Sequence, residues 1–158
     1  MRTKGGDIMI LMRAEQKDLQ EILDLQYIAY QSESKLLNNS GIPPLKQTLQ
    51  EVQYEYEKGV FLKAKDDGGS IIGSVRAYSE NDTLYIGKLI VRPDLQGQGI
   101  GTNLLNEIEK VCPHPRYELF TSSKSIRNIK LYKYLGYEIF KEQDISEELK
   151  FIYLQKLS

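Results

Sequence analysis

Three glycines at alternate positions, Gly97, Gly99 and Gly101, stand between a strand pattern and a helix pattern. The apolar run Leu84 to Val91 reads as a strand and is followed by Pro93. Beyond the glycines, Ile100, Leu104, Leu105, Ile108 and Val111 recur at helical spacing. A helix start leaves its first backbone N–H groups unpaired and carries the positive end of the helix dipole, so it attracts an anion. Glycines let the backbone approach that anion with no Cβ in the way. The chemistry expected here is therefore phosphate binding, against the simpler use of a glycine turn as a helix cap, which one glycine would satisfy. Two common phosphate loops are excluded. Leu104 stands where a dinucleotide fingerprint needs its third glycine, and no lysine follows the glycines as a P-loop requires.

What remains, Gln96-Gly-Gln-Gly-Ile-Gly101, resembles the (R/Q)-x-x-G-x-(G/A) pyrophosphate loop of the GNAT N-acetyltransferases, with Val91-Arg-Pro93 before it and an amphipathic helix after it. A second segment, Ser125 to Tyr137, is similar to that family's N-x-x-A-x-x-L-Y-x-x-x-G-F signature. Leu131, Tyr132 and Gly136 match it, Tyr137 replaces the Phe, Ser125 the Asn and Asn128 the Ala. In residues the resemblance is confined to about 84–105 and 116–140; in layout it covers most of the chain. It implies acetyl-CoA as cosubstrate, held by Leu89, Ile90 and Val91 of the strand, by Gln96, Gly97, Gln98, Gly99, Ile100, Gly101 and Thr102 of the loop, and by Asn128. It also implies the fold: a mixed, mostly antiparallel central sheet of six to seven strands flanked by about four helices.

The reaction implied is attack of a free amine on the thioester carbonyl, through a tetrahedral oxyanion, with departure of a thiolate. The resemblance places the oxyanion donor at a backbone N–H near Ile90 or Val91. Tyr132 matches the family's acid, since a phenol with a pKa of about 10 holds its proton at neutral pH. With eleven tyrosines present, a ring packed in the core is the other reading of Tyr132. Many family members carry a glutamate base on the strand before the loop; this strand has none and carries Lys88 instead. Glu118 on the next strand sits where the ribosomal-protein alanine acetyltransferases place a base, if two residues are inserted within Thr121 to Lys124. A solvent-facing carboxylate there, with deprotonation through ordered water, is the alternative.

In this fold the segment from Tyr27 to Pro44 walls the acceptor pocket, with Tyr27, Tyr30 and Glu33 as lining. Strand alternation puts Ser74 and Arg76 on one face of their strand, and Ile86, Lys88 and Ile90 on one face of theirs. Tyr30, Arg76 and Lys88 are the residues expected at the substrate; facing the acceptor, Arg76 and Lys88 would favour one with a carboxylate, such as an amino acid or a protein terminus with acidic residues. Otherwise both cations pair with acidic neighbours. Two function classes follow. One is a metal-free N-acetyltransferase with a ternary-complex mechanism, acting on a small-molecule amine or a protein N-terminal amine. The other is a non-catalytic acyl-CoA-binding sensor, which the missing strand glutamate favours and Tyr132 opposes. Homodimers are common in the family. His114, between two prolines, reads as a surface loop histidine, and Cys112 as a buried helix end; neither has the neighbours of a metal site or a nucleophile.

The rest of the chain must position these groups. Its 158 residues make one domain, with 41% hydrophobic and 27% charged residues, enough for a core. A net charge of −1 carries no basic excess for nucleic acid. One cysteine excludes a disulfide framework and suggests a reducing, cytoplasmic setting, and no apolar run reaches the length of a membrane span. Residues 1–8 read as a polar extension of little order, or as lying upstream of a start at Met9 or Met12, and 9–158 as a single domain. Pattern predicts strands at Ile8 to Arg13, Val60 to Lys65, Ile71 to Ser79, Leu84 to Val91, Arg116 to Thr121, Tyr137 to Lys141 and Leu149 to Leu157. It predicts helices at about Gln16 to Gln31, Pro44 to Gly59, after the glycines, and Ser125 to Leu135, with Ser125 as cap, and a loop at Ser32 to Pro44.

Overall fold

A computed structural model describes residues 9–37 and 41–158. The expectations for residues 1–8, including the first residue of the Ile8 strand, and for Asn38 to Ser40 of the loop lie outside the described residues. The chain forms β1 (Ile10–Arg13), α1 (Leu19–Leu37), α2 (Pro43–Lys46), α3 (Leu49–Lys58), β2 (Val60–Lys65), β3 (Ile71–Glu80), β4 (Thr83–Val91), α4 (Ile100–Val111), β5 (Arg116–Ser122), α5 (Ile126–Tyr134), β6 (Glu138–Asp144) and β7 (Lys150–Leu157). The seven strands make one sheet in the order β1-β2-β3-β4-β5-β7-β6. Every neighbouring pair is antiparallel except β4 and β5. This is the mixed, mostly antiparallel sheet expected, with five helices rather than about four.

The extra helix arises at Gln47 and Thr48, both in extended conformation, which divide the expected Pro44 to Gly59 helix in two. Thr48 Oγ1 accepts from the Glu51 N–H at 3.2 Å, and Glu51 Oε1 accepts from the Thr48 N–H at 2.9 Å. This reciprocal box starts a new helix at Leu49. The break turns the Gln47 side chain inward, where it donates to Glu55 Oε1 at 2.9 Å and accepts from Gln26 Nε2 at 2.9 Å. Helix α1 runs past its expected end to Leu37, absorbing the start of the expected loop. Its inward face, with Leu19, Ile22 and Leu25, forms one core with Val52, Phe61 and Ile90. The second core lies on the other face of the sheet, where Ile100, Leu104, Leu105 and Ile108 of α4 meet Leu62, Ile72 and Leu84.

Helix α5 ends as its glycine requires. Gly136 has φ +98°, its N–H bonds the carbonyl of Lys133 at 3.1 Å, and the N–H of Tyr137 bonds that of Tyr132 at 2.9 Å. This pair of bonds fixes the turn of α5 that carries Tyr132. At the other end, Ser125 occupies the cap position but makes no side-chain cap; its hydroxyl donates instead to Glu33 Oε1 of α1 at 3.2 Å. Among the described residues no helix is long and apolar enough to cross a membrane, and no group of three or more His, Cys, Asp or Glu side chains could hold a metal.

Candidate active site

The site begins with an irregularity in β4. Gly87 pairs with Arg76 and Ile90 with Ser74, so Lys88 and Leu89 together oppose Val75. Lys88 has φ +49°, a left-handed conformation uncommon for a lysine. This is a β-bulge, and one extra residue reverses the alternation beyond it. Ile86 therefore packs in the core under α4 and Ile90 in the core with α1. The common face expected for Ile86, Lys88 and Ile90 does not form, because the period of two assumes an unbroken strand.

On its other edge β4 pairs with β5 only from Thr83 to Tyr85, against Arg116 to Glu118, and the strands then part. The Arg92 N–H bonds Ile72 O of β3 at 2.9 Å. By alternation, the N–H of Val91 turns away from β3, to the side that β5 has left.

Three cavities meet along this opening. One of about 170 Å³ surrounds the glycine loop and is lined by Leu89, Val91, Gln96, Gly97, Gly99, Ile100, Gly101, Thr102 and Asn128. One of about 320 Å³ lies against Tyr30, Glu33, Ile90 and Gln96. One of about 240 Å³ reaches Tyr132, with Glu33, Lys88, Leu89 and Asn128 also in its wall. Leu89 and Asn128 line all three, so the cavities adjoin one another from the glycine loop to Tyr132. Of the residues expected at the cofactor, Gln98 alone lines none of these cavities; its Oε1 is buried without a partner.

Gly97 and Gly99 adopt φ +81° and +90°, and a Cβ built on Gly99 meets nothing within 4 Å. Among the described residues no packing demands Gly99; the left-handed turn conformation does. The loop leads directly into α4, whose N-cap is Gly99. Beside it stands a cation that the sequence did not single out. Arg127 Nη1 donates to Gln96 Oε1 at 2.8 Å, and Arg127 lines two of the three cavities. Its position, in the first turn of a helix distant in sequence from the loop, leaves no local signal.

Tyr132 is buried, 6% exposed, and burial followed by the charge of Glu33 holds its phenol above the ordinary range. It is therefore protonated at neutral pH. Tyr30 is raised likewise, by burial, then Glu33, then Tyr132. Burial raises the Glu33 carboxyl, partly offset by the Ser125 hydroxyl. Tyr30, Glu33 and Tyr132 thus form one electrostatic cluster in the cavity. Glu118 lies elsewhere. Its Oε1 accepts from Arg116 Nη1 at 2.8 Å, and it lines an adjoining groove of about 500 Å³. That groove shares Gly87, Lys88, Leu119 and Phe120 with the Tyr132 cavity.

The two cations expected at the acceptor differ. Arg76 lines the groove, but its guanidinium donates to Glu55 Oε2 at 2.6 Å, Gln26 Oε1 at 2.8 Å and Gln47 Oε1 at 3.3 Å, and lies 4.5 Å from the centre of the Phe61 ring. Lys88 lines both groove and cavity and makes no ion pair among the described residues; burial, then the charge of Arg76, lowers its ammonium. Cys112 and His114 line none of these spaces. His114 Nδ1 lies 2.9 Å from Cys112 O and Nε2 lies 2.7 Å from Ser79 Oγ, contacts of a structural loop.

Known proteins resemble this chain in sequence and share its fold. The chain is 27% identical over 132 residues to the UPF0157 protein YqkA of Bacillus subtilis, a match covering 83% of this chain and 38% of that protein. The chain thus spans well under half the length of the curated relative it matches. Its fold is that of the PaiA N-acetyltransferase of Thermoplasma acidophilum in complex with coenzyme A, with a TM-score of 0.79 at 13% identity over 96% of this chain and 99% of that one. A phosphinothricin acetyltransferase of Sinorhizobium meliloti in complex with acetyl-CoA gives a TM-score of 0.75 at 20% identity over 94% and 88%. The model of the Acetyltransferase (GNAT) family matches residues 19–137, from the first residue of α1 to the last residue of the glycine turn after α5, and the chain belongs to that family.

Proposed function

We propose that the protein transfers the acetyl group of acetyl-CoA to a primary amine, on a small molecule or at a protein N-terminus, by direct attack in a ternary complex. The observation that carries this reading is the row of adjoining cavities from the glycine loop to Tyr132. A pyrophosphate at the loop meets the open N-terminus of α4 and the Arg127 guanidinium, so backbone dipoles and one cation share the charge. The thioester then lies between the parted strands, where the Val91 N–H is free to bond the oxyanion. Tyr132 keeps its phenolic proton and gives it to the departing thiolate. The bound coenzyme A and acetyl-CoA of the two structural relatives support the choice of cosubstrate. Glu118, expected as the base, is tied to Arg116 and lines the acceptor groove rather than the Tyr132 cavity.

The test is calorimetric titration with acetyl-CoA and with free CoA, followed by a thiol-release screen over amino acids, polyamines, aminoglycosides and short peptides. Tight binding with release on one acceptor class supports the reading. Absence of binding overturns it. Binding with no release on any acceptor moves the protein to the sensor class.

A further inference from the structure

We infer that the acceptor is a free amino carboxylic acid with an apolar or aromatic side chain, its amine received by Glu33 and its carboxylate by Lys88; this rests on the acetyltransferase reading above. Among the described residues the Tyr132 cavity has two charged side chains in its wall, Glu33 from α1 and Lys88 from β4. Neither forms an ion pair. Two more deeply buried cations do: Lys63 Nζ lies 2.6 Å from Asp18 Oδ2, and Arg76 Nη1 lies 2.6 Å from Glu55 Oε2. Glu33 and Lys88 are half-buried, and Lys88 also feels the charges of Arg76 and Glu55. Burial drives both toward their neutral forms. A half-buried charge with no ion-pair partner is costly, and a substrate bearing both opposite charges relieves both costs at once.

The remaining substituent is defined by the groove that Lys88 also lines. Its wall includes Tyr54, Tyr78, Tyr85, Phe120 and Tyr153, with the Tyr78 and Tyr85 rings stacked at 5.1 Å. Such a wall takes an apolar or aromatic group. The same reasoning argues against two other acceptors. A polyamine would bring positive charge against Lys88. A peptide N-terminus has no carboxylate beside its amine, because that group is in the peptide bond.

Glu33 then serves as the base. The acceptor ammonium gives one proton to the Glu33 carboxylate, and the freed lone pair attacks the thioester carbon. The C–N bond forms and the C–S bond breaks. The thiolate takes the Tyr132 proton, and the second proton lost from nitrogen restores the phenol. Glu33 returns its proton to water, so one proton is released per amide and thiol formed.

The experiment measures thiol release from acetyl-CoA with matched pairs: phenylalanine against phenethylamine, and leucine against isoamylamine. The amino acid of each pair should show about tenfold or more higher kcat/KM. Lys88→Met should erase that difference through KM while sparing the amines, and Lys88→Arg should restore part of it. Glu33→Gln should lower kcat by about a hundredfold or more and remove the acidic limb of the pH profile. Equal rates within each pair, or a Lys88→Met loss shared by amines and amino acids, overturn the inference and leave acetyl transfer standing. A Glu33→Gln protein with full rate and an intact acidic limb overturns the role of Glu33. Failure to bind acetyl-CoA, with no thiol released from any acceptor, overturns the acetyltransferase reading itself. Thermal melts check that each variant is folded.

Discussion

Lys63, Arg76 and Lys88 are cations drawn out of water on neighbouring strands, yet the fold treats them in two ways. Lys63 and Arg76 each receive a carboxylate at 2.6 Å, and Arg76 is further bonded by Gln26 and Gln47. Lys88 receives none among the described residues. The carboxylates divide likewise. Asp18 and Glu55 are paired, while Glu33, in the same cavity as Lys88 and Tyr132, has among the described residues the Ser125 hydroxyl and no cation. Pairing a buried charge restores what desolvation removed; leaving one unpaired keeps its partner position open for a ligand. The α1–α3 side of β2 and β3 is thus a closed electrostatic scaffold, and the gap between β4 and β5 is an open one.

The largest effects should come from the open side. Tyr132→Phe removes the acid without removing the ring, so kcat should fall by about a hundredfold to ten-thousandfold while acetyl-CoA affinity is kept. Calorimetry beside thiol-release kinetics separates the two quantities, and a variant with unchanged kcat would return Tyr132 to the core. Gly99→Val addresses the other end of the row of cavities. A β-branched residue at φ +90° is strained by about 1–3 kcal/mol, and its side chain occupies the ligand's approach. Acetyl-CoA binding should weaken by about tenfold to a hundredfold, measured by the same titration.

The two ends of that row were unequally legible in the sequence. The glycine loop was readable because backbone conformation is written locally, in Gly97 and Gly99. Tyr132 was readable because Leu131 and Gly136 frame it at fixed spacing. Side chains that meet across the sheet were not. Alternation placed Lys88 with Ile86 and Ile90, and a single bulged residue undid that reading. Arg76 was read as a possible substrate contact. Its bond to Gln47 depends on the break there, which the Thr48-Leu-Gln-Glu51 capping box signals and which a continuous helix from Pro44 passes over. Glu33 was legible as lining, three residues from Tyr30 on one helix face. Its isolation from other charges is a property of the tertiary structure alone.

The closed scaffold makes a prediction of stability rather than rate. Arg76→Met leaves Glu55, Gln26 and Gln47 with unpaired groups and should destabilise the fold by about 2–3 kcal/mol, seen as a lower midpoint in urea. The same change at Lys88 removes a charge that makes no ion pair among the described residues, so Lys88→Met should leave the midpoint unchanged or raise it. Equal losses at the two positions would erase the distinction between scaffold and site.

The smallest effects test the same distinction among the carboxylates, through pH. For Asp18, burial alone would raise the carboxyl, but the hydrogen bonds from Lys63 and the Glu15 N–H, with the Lys63 charge, outweigh it and hold the group below its ordinary value. Its contribution is complete above the unfolded carboxyl pKa of about 4 and is lost as pH falls through the lower folded value. Asp18→Asn should therefore cost on the order of 1 kcal/mol at neutral pH, and the cost should fade in acid. Glu33 has the opposite sign. Its folded carboxyl is raised by burial, so the stability it contributes is complete below the unfolded value and lost as pH rises through the folded one. Glu33→Gln should therefore stabilise the protein above that window, by an amount similar to the Asp18 loss, while slowing turnover. Thermal melts of both variants at pH 4 and pH 7 provide the measurement. If both substitutions destabilised at pH 7, Glu33 would be a scaffold carboxylate like Asp18, and the cavity would have no charge held open for an amine.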